Sequence, residues 1–188
     1  MTHKIYLFSL LLMTFVLTAC GETEEVNRYD NWQARSQAFM DSLNVVYESA
    51  ANKALPDNDP KKLHSLVDQT NGLNVYYKKI SKTGESHERP VFTSKVSCFY
   101  RMSYFNGDVV QQNFTGKEPS GFDQPAEFEL NSLISGWAYA MPYMEEGEFW
   151  TLYLPYQSGY GSGTGGDGSL LPYSALIYEV KLEKIVER

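Results

Sequence analysis

The spacing of apolar residues changes character once along the chain, near residue 73. Between residues 30 and about 52, apolar side chains recur every three or four residues, which predicts a helix with one buried face. These positions are Trp32, Phe39, Leu43, Val46, Tyr47 and Ala50. Asp30 stands where an N-cap is expected, and the proline-bounded segment 56–60 predicts the end. The helix carries no set of ligand or acid–base residues, so we interpret it as a packing or spacer helix.

After residue 73, short segments of alternating or aromatic-rich sequence predict β-strands. Asn106-Gly107, between two of these segments, is typical of a two-residue hairpin turn. Residues 132–141 form the one segment of this half with good helical character. The predicted strands cover residues 73–80, 96–104, 108–112, 127–130, 149–154 and 176–185. Many antiparallel strands around one short helix predict an α+β domain.

The first twenty residues have the composition of an export signal. Lys4 supplies a positive start, and residues 5–16 form an apolar run that is short for a permanent membrane span. Residues 17–20 read Leu-Thr-Ala-Cys, which resembles the lipobox of bacterial lipoproteins, where the cysteine is acylated and becomes the new N-terminus. We therefore expect a signal peptide at 1–19 and a lipid on Cys20. The alternative is an ordinary signal peptide that happens to end near a cysteine.

An acidic stretch at residues 21–25 follows the cysteine. It resembles a surface-export signal of some outer-membrane lipoproteins, and it is equally typical of a solvated tether, which we expect at 20–29. Two or three acyl chains give stable membrane anchoring. The expected location is the cell envelope, on the outer membrane, facing the periplasm or the cell surface.

The chain of 188 residues has a formal net charge of −7, and removal of 1–19 deletes Lys4 and leaves −8. Without a basic stripe, such a chain is not expected to bind nucleic acid. If Cys20 is acylated, Cys98 is the one remaining cysteine. It stands beside apolar Phe99 with no adjoining histidine, so we expect a buried core residue rather than a nucleophile.

Five motifs occupy the region from residue 96 to 185. The most specific is Leu-Ile-Ser-Gly-Trp at 133–137. The others are Met144 with Gly147, Leu-Tyr-Leu-Pro at 152–155, Gly-Tyr-Gly at 159–161, and Ser-Ala-Leu-Ile-Tyr-Glu-Val-Lys-Leu at 174–182. In this order they resemble the FKBP family of peptidyl-prolyl isomerases, with Gly159 in place of the usual alanine. The resemblance implies an antiparallel curved sheet wrapped around one short helix, here with an extra N-terminal helix. We expect the helix and a linker at 30–70 and the FKBP-like domain at 71–188.

The same resemblance implies a set of site residues. Trp137 would form the floor of a proline pocket, and Tyr160 and the Ile134 N–H would donate hydrogen bonds to the substrate. The implied walls are Tyr100, Leu133, Ile134 and Tyr178, with Leu170 and Leu171 in a flanking loop whose register is ambiguous by one residue. Taken alone, each of these residues is more typical of an ordinary core than of a binding pocket, and it is the set in this order that favours the pocket. Rotation about an X-Pro bond needs an apolar, hydrogen-bonding pocket rather than a nucleophile or a metal, so no cofactor is expected.

Three positions depart from the family pattern. Val110 and Gln111 stand where the family has Phe-Asp, and Ala126 stands where it has a pocket phenylalanine. We expect these residues to contact substrate in a pocket with two trimmed walls. A neutral amide at residue 111 cannot hold a tyrosine as a charged acceptor does, so the departures predict reduced catalysis.

Two other motifs are discounted. Residues 161–166 fit Gly-x-Gly-x-x-Gly, but a dinucleotide site needs a following helix, which Pro172 opposes. We interpret this segment as an enlarged flap over the pocket. Residues 113–115 fit a glycosylation sequon, which has no role in a bacterial-type lipoprotein.

Three hypotheses for function follow, in order of preference. The first is an isomerase acting on proline-containing unfolded or exported polypeptides. The second is a weakly active or inactive FKBP-fold chaperone or peptide-binding lipoprotein. The third is a purely structural envelope protein. Fold alone does not choose among them, because function resides in the site.

The lipid prediction has a direct test. Mass spectrometry of the mature N-terminus is expected to find acylated Cys20, and Cys20→Ala is expected to give unanchored or unprocessed protein because the acceptor thiol is lost. An unmodified Cys20, or cleavage at another residue, would contradict the assignment.

Overall fold

The computed structural model describes residues 27–165 and 168–188, and in this part seven strands form one antiparallel sheet. The strands lie in the order β1-β2-β6-β7-β3-β4, and β5 pairs with the same edge of β3 as β4 does. Their bounds are β1 (His64–Val67), β2 (Asn74–Lys82), β3 (Lys95–Tyr104), β4 (Val109–Gln112), β5 (Ala126–Glu129), β6 (Glu148–Leu154) and β7 (Leu176–Glu187). The helices are α1 (Trp32–Glu48), α2 (Ala50–Lys53) and α3 (Ser135–Ala140).

Alternation of side chains along the long strands creates one apolar face of the sheet. On β7 the buried residues are Leu176, Tyr178, Val180 and Leu182, each two positions from the next. The even-numbered residues of the neighbouring β3 face the same way, because β3 and β7 pair in register from Tyr104↔Leu176 onward. This face packs against the short helix α3, whose Trp137 and Ala140 belong to the same core cluster.

The other face of the sheet is covered by the N-terminal helix α1. Tyr76 of β2 and Tyr153 of β6 point to this face and pack with Met40 and Phe39 of the helix. The Tyr76 hydroxyl donates a hydrogen bond of 2.9 Å to the Asn44 side chain. Burial against the sheet therefore explains the first part of the predicted apolar pattern. Val46, which is 48% exposed, and Ala50, which is also exposed, are not buried as that pattern predicted.

Helix α3 lies unusually close to the turn after β6. A Cβ on Gly136 would stand 2.7 Å from the Leu154 side chain and 2.9 Å from the Ser158 carbonyl oxygen. Since these distances are shorter than real Cβ contacts, only glycine allows the helix to approach so far. The glycine of the Ile-Ser-Gly-Trp motif thus has a packing role.

The helices differ in detail from the sequence expectations. The N-cap of α1 is Asn31, in the left-handed region at φ 53°, rather than Asp30. The helix predicted at 132–141 is regular only over Ser135–Ala140, and 3-10 turns flank it at Leu130–Ser132 and Met141–Tyr143. Leu133 and Ile134 between them are extended. The helix is shorter because these two residues line a cavity rather than continue its first turn.

The predicted Asn-Gly hairpin is also built differently. The Gly107 N–H donates to the Tyr104 carbonyl, so the central turn residues are Phe105 and Asn106, and Gly107 follows at φ 89°. A left-handed glycine after the turn is typical of the longer, bulged hairpin. The turn therefore lies one residue earlier than expected.

Strand β1 was not predicted from the sequence. It is a four-residue edge strand that pairs with β2 from His64↔Tyr77 to Val67↔Asn74. Asn31–Arg188 form one compact unit that includes β1. Before it, a turn at 27–30 is described. The domain boundary expected at residue 71 stays a prediction.

None of the helices in the described residues is long and apolar enough to span a membrane.

Three nitrogen-bearing side chains around Glu145 join the end of β2 and the segment after it to the residues just before β6. The Glu145 carboxylate lies 2.7 Å from Lys82 Nζ, 3.0 Å from His87 Nδ1 and 2.9 Å from an Arg89 nitrogen. Hydrogen bonds from these three side chains, with Lys82 the largest contributor, lower the pKa of Glu145 to about 2. The charged form of this carboxylate is therefore favoured by folding.

Replacing Glu145 by glutamine is expected to lower the melting temperature at neutral pH. The native pKa of about 2 lies below the ordinary 4.5, so the charge stabilises the fold above about pH 4.5 and ceases to do so as the pH falls toward 2. Melting curves of Glu145→Gln and wild type should converge over that window. Glu85→Gln, which removes a carboxylate with no ion pair among the described residues, is the matched control. A pH-independent difference would refute the ion-pair explanation.

Candidate active site

A cavity of about 140 Å³ opens between helix α3 and the apolar face of the sheet. Its lining is almost entirely aromatic or aliphatic. The lining residues are Tyr100, Gln111, Phe128, Leu133, Ile134, Trp137, Tyr160 and Tyr178. They come from β3, β4, β5, α3 with the residues before it, the loop after β6, and β7. The site is thus assembled from segments that are distant in sequence.

Trp137 forms the floor of this cavity. Its side chain is buried, and the rings of Tyr100, Phe128 and Tyr178 surround it at centroid distances of 6.0, 5.8 and 5.3 Å. All three contacts are edge-to-face, at interplanar angles of 74° to 84°. This arrangement is favourable for aromatic pairs and leaves one face of the cavity apolar.

Hydrogen-bond donors stand at the rim. Tyr160 is 37% exposed, so its hydroxyl can reach both the cavity and solvent. Ile134 is the N-cap residue of α3, and its carbonyl accepts the first hydrogen bonds of the helix, from the Trp137 and Ala138 N–H groups. Its own N–H has no backbone acceptor among the described residues. The cavity therefore combines an apolar floor with two donors at its edge.

The buried phenols of the cavity stay neutral. Burial raises the pKa of Tyr178 well above its usual range, and the neighbouring Tyr160 adds to the effect. Burial likewise raises the pKa of Tyr100. The cavity lining contains no Asp, Glu, Lys, Arg or His side chain, so these phenols act as neutral polar groups.

The structure brings together seven of the eleven residues named from the sequence as pocket residues. Tyr100, Leu133, Ile134, Trp137, Tyr160 and Tyr178 line the cavity, and Gln111 joins them from β4. The other four are not part of the cavity lining. They are Val110, which is half-buried, Ala126, which is opposite Cys98 in the sheet, and Leu170 and Leu171 in the loop before β7.

Phe128 is the lining residue that sequence reasoning missed. It stands two residues after Ala126 on β5, and alternate residues of a strand point to the same face. Its ring lies 5.6 Å from that of Tyr100 and 5.8 Å from that of Trp137. The signal was present in the Glu-Phe-Glu-Leu segment at 127–130, where apolar and acidic residues alternate and the phenylalanine is the aromatic residue. Phe128 therefore supplies an aromatic wall close to Ala126, the position at which the sequence predicted that such a wall would be missing.

Two further sequence features have clear positions. Cys98 is fully buried on β3, and burial raises the pKa of its thiol, as expected of a core residue. The Gly-rich loop after β6 leads to β7 with no α-helix in its described part, and Leu170 folds back from it into the core. Gly166 and Cys20 lie outside the described residues. Those residues contain no group of three His, Cys, Asp or Glu side chains that could hold a metal.

Comparison with known proteins identifies the family. A model of the FKBP-type peptidyl-prolyl cis-trans isomerase family matches residues 86–183, which is more than half of the chain. The chain belongs to this family. Every lining residue of the cavity falls inside the matched region.

Two relatives match the chain over part of their own length. The macrophage infectivity potentiator of Trypanosoma cruzi is 38% identical over 111 residues, 59% of this chain and 53% of that protein. The peptidyl-prolyl cis-trans isomerase Mip of Coxiella burnetii is 31% identical over 118 residues, 63% of this chain and 46% of that protein. The chain thus spans about half the length of each.

Solved structures show the same fold. A peptidyl-prolyl cis-trans isomerase of Pseudomonas syringae pv. tomato superposes with a TM-score of 0.54 at 24% identity, covering 81% of this chain and 96% of that one. The FKBP fold expected from the motifs is therefore confirmed, together with the additional N-terminal helix α1.

Replacement of Trp137 should test how far the cavity depends on its floor. The side chain is 3% exposed, so Trp137→Leu is expected to lower the free energy of unfolding by about 3 kcal/mol through lost apolar contacts and a residual void. Urea denaturation followed by circular dichroism measures this change. Phe122→Leu, at a phenylalanine that is 98% exposed, serves as the control and should leave stability within about 0.5 kcal/mol. Equal stability of both variants would show that Trp137 is not a structural floor.

Proposed function

We propose that this protein is a peptidyl-prolyl cis-trans isomerase that acts on exported, proline-containing polypeptides. The observation that carries the proposal is the apolar cavity with Trp137 as its buried floor and hydrogen-bond donors at its rim. Membership of the FKBP family supports it. The chemistry that such a cavity can perform follows from the nature of the X-Pro bond.

An X-Pro amide rotates slowly because resonance gives its C–N bond double-bond character, with a barrier of about 20 kcal/mol. Water stabilises the polar, planar amide more than the twisted transition state. Transfer of the proline ring onto the Trp137 face, among Tyr100, Phe128 and Tyr178, removes that water. The planar ground state loses more stabilisation by water than the twisted transition state does, so the barrier to rotation falls.

The donors at the rim act on the substrate backbone. In this proposal the Ile134 N–H and the Tyr160 hydroxyl, both on residues that line the cavity, donate to the carbonyl oxygens that flank the bound proline. Hydrogen bonds that fit the twisted geometry better than the planar one stabilise the transition state selectively. No proton is transferred and no covalent bond forms, in keeping with a lining of neutral side chains.

A peptide-binding chaperone with little catalysis is the second candidate, and Gln111 favours it. This residue stands at the cavity wall where the family pattern has an aspartate. An amide holds a neighbouring hydroxyl less firmly than a carboxylate does. The cavity would then bind proline segments while stabilising the twisted amide weakly.

The proposed place of action is the cell envelope. Lys4, the apolar run at 5–16 and the Leu-Thr-Ala-Cys sequence ending at Cys20 support export and lipid anchoring. A lipid anchor would hold the domain near polypeptides that have crossed the membrane and are still folding.

Isomerisation of a proline-containing tetrapeptide tests the catalytic proposal. The wild-type protein is expected to accelerate rotation above the uncatalysed rate, and Tyr160→Phe to lower kcat/KM about tenfold, because one donor to the twisted amide is lost. Tyr143→Phe, at an exposed tyrosine outside the cavity, is the matched control and should match wild type.

The same proteins should be tested for binding to an unfolded proline-containing protein. Binding without any rate acceleration by wild type would replace the catalytic proposal with the chaperone one. Absence of both activities would contradict both.

A further inference from the structure

Asp68 is a buried carboxylate immediately after β1, outside the region matched by the family model. Its side chain has no exposed surface, and no lysine or arginine pairs with it among the described residues. Burying a carboxylate in this way is costly unless hydrogen bonds satisfy both oxygens. The identity of the donors shows what the carboxylate is connected to.

The two carboxylate oxygens have different partners. Oδ1 accepts a hydrogen bond of 2.8 Å from the Thr70 N–H, which closes the turn between β1 and β2. Oδ2 accepts one from the Ser135 hydroxyl at 2.5 Å and one from the Asn71 side-chain amide at 3.1 Å. Thr70 and Asn71 belong to the turn itself, whereas Ser135 belongs to α3, so the bond from Ser135 connects the carboxylate to a separate part of the fold.

Ser135 places this connection next to the cavity. It is the first residue of α3, directly after Ile134 and two residues before Trp137. A hydrogen bond that holds Ser135 therefore holds the direction of the Ile134 N–H. It also holds the first turn of the helix that carries the floor.

Asn71 connects Asp68 to the segment that contains Tyr160, the second hydrogen-bond donor of the cavity. The same Asn71 amide nitrogen donates to the Ser158 hydroxyl at 3.0 Å. Ser158 is buried and stands two residues before Tyr160. The carboxylate is thus connected, through at most one side chain, to both segments that supply hydrogen bonds to the cavity.

The electrostatics agree with a charged carboxylate. Burial raises the pKa of Asp68, but hydrogen bonds from Ser135, Ser158 and Thr70 outweigh it, and the net effect lowers the pKa. Hydrogen bonds to an ionised acceptor are stronger and more directional than neutral ones. The network is therefore suited to holding neighbouring groups in one geometry.

We propose that Asp68 is a positioning residue for the isomerase, which holds the Ile134 N–H and the Tyr160 segment in the geometry of the twisted amide through Ser135 and through Asn71 with Ser158. This inference rests on the proposed function. It assigns a role in the reaction to a residue that touches no substrate and lies on the N-terminal side of the family's matched region.

The test is to remove the Ser135 hydroxyl while Asp68 keeps its hydrogen bonds from the Thr70 N–H and the Asn71 amide. Ser135→Ala is expected to lower kcat about tenfold with KM changed less than about twofold, because donor direction changes while the apolar cavity remains. Ser135→Thr restores a hydroxyl and should restore kcat. Ser132→Ala, which removes an exposed serine hydroxyl bonded to the Glu129 carbonyl, is the matched control.

A second variant separates positioning from stability. Asp68→Asn should also lower kcat. The double variant with Ser135→Ala should lower kcat little further, because both substitutions break the same hydrogen bond between Asp68 and Ser135. All rates are measured well below the melting temperature of each variant, so that the folded fraction is constant. If Ser135→Ala and Asp68→Asn melt earlier but keep the wild-type kcat, Asp68 only stabilises the fold and the proposal is overturned.

The outcome for wild type distinguishes this inference from the proposed function. Where wild type is active and Ser135→Ala equals it, the inference fails and the function stands. Where wild type does not accelerate rotation, the function fails, and affinity for a proline-containing peptide becomes the measurement. Weaker peptide binding by Ser135→Ala, restored in Ser135→Thr, would then support the positioning role for a binding site. Unchanged or absent binding would overturn it.

Discussion

The packing of the Trp137 ring against the apolar face of a curved sheet is the interaction on which the candidate site depends. The indole is buried from below by the core and bordered by three aromatic rings, each edge-on to it. A flat, rigid and apolar floor of this size cannot be made by aliphatic side chains. Residues of β3, β5 and β7 contribute the three rings that enclose it, and the cavity opens above it.

The close approach of α3 to the turn after β6 brings two hydrogen-bond donors next to this floor. Gly136 lets α3 pack directly on the turn that contains Ser158, and Tyr160 follows two residues later. The donors at Ile134 and Tyr160 are thereby brought to one rim although they belong to different parts of the chain. The hydrogen-bond network from Asp68 connects the same two segments, through Ser135 and through Asn71 with Ser158. This connection accounts for the burial of the Asp68 carboxylate.

The residues that depart from the family pattern are partly compensated by their surroundings. Phe128 supplies an aromatic wall next to the position where Ala126 lacks one. Gln111 has no such substitute in the cavity lining, which holds no charged side chain. The aromatic enclosure of the cavity is therefore better preserved than a charged acceptor for its tyrosines. This balance is the physical basis for keeping both an isomerase and a peptide-binding chaperone as candidates.

The sequence by itself determined the family, the strand pattern and most of the cavity lining. The reason is that its motifs are local: Leu133 to Trp137 or Gly159 to Gly161 are contiguous, and strand alternation is visible over a few residues. Only the tertiary structure decided that Phe128 rather than Ala126 lines the cavity and that α3 is shorter than its pattern. It also placed β1 at the edge of the sheet and Asp68 beside Ser135. These features depend on contacts between distant segments, such as the Ser135–Asp68 bond across 67 positions, and no local pattern carries information about such partners.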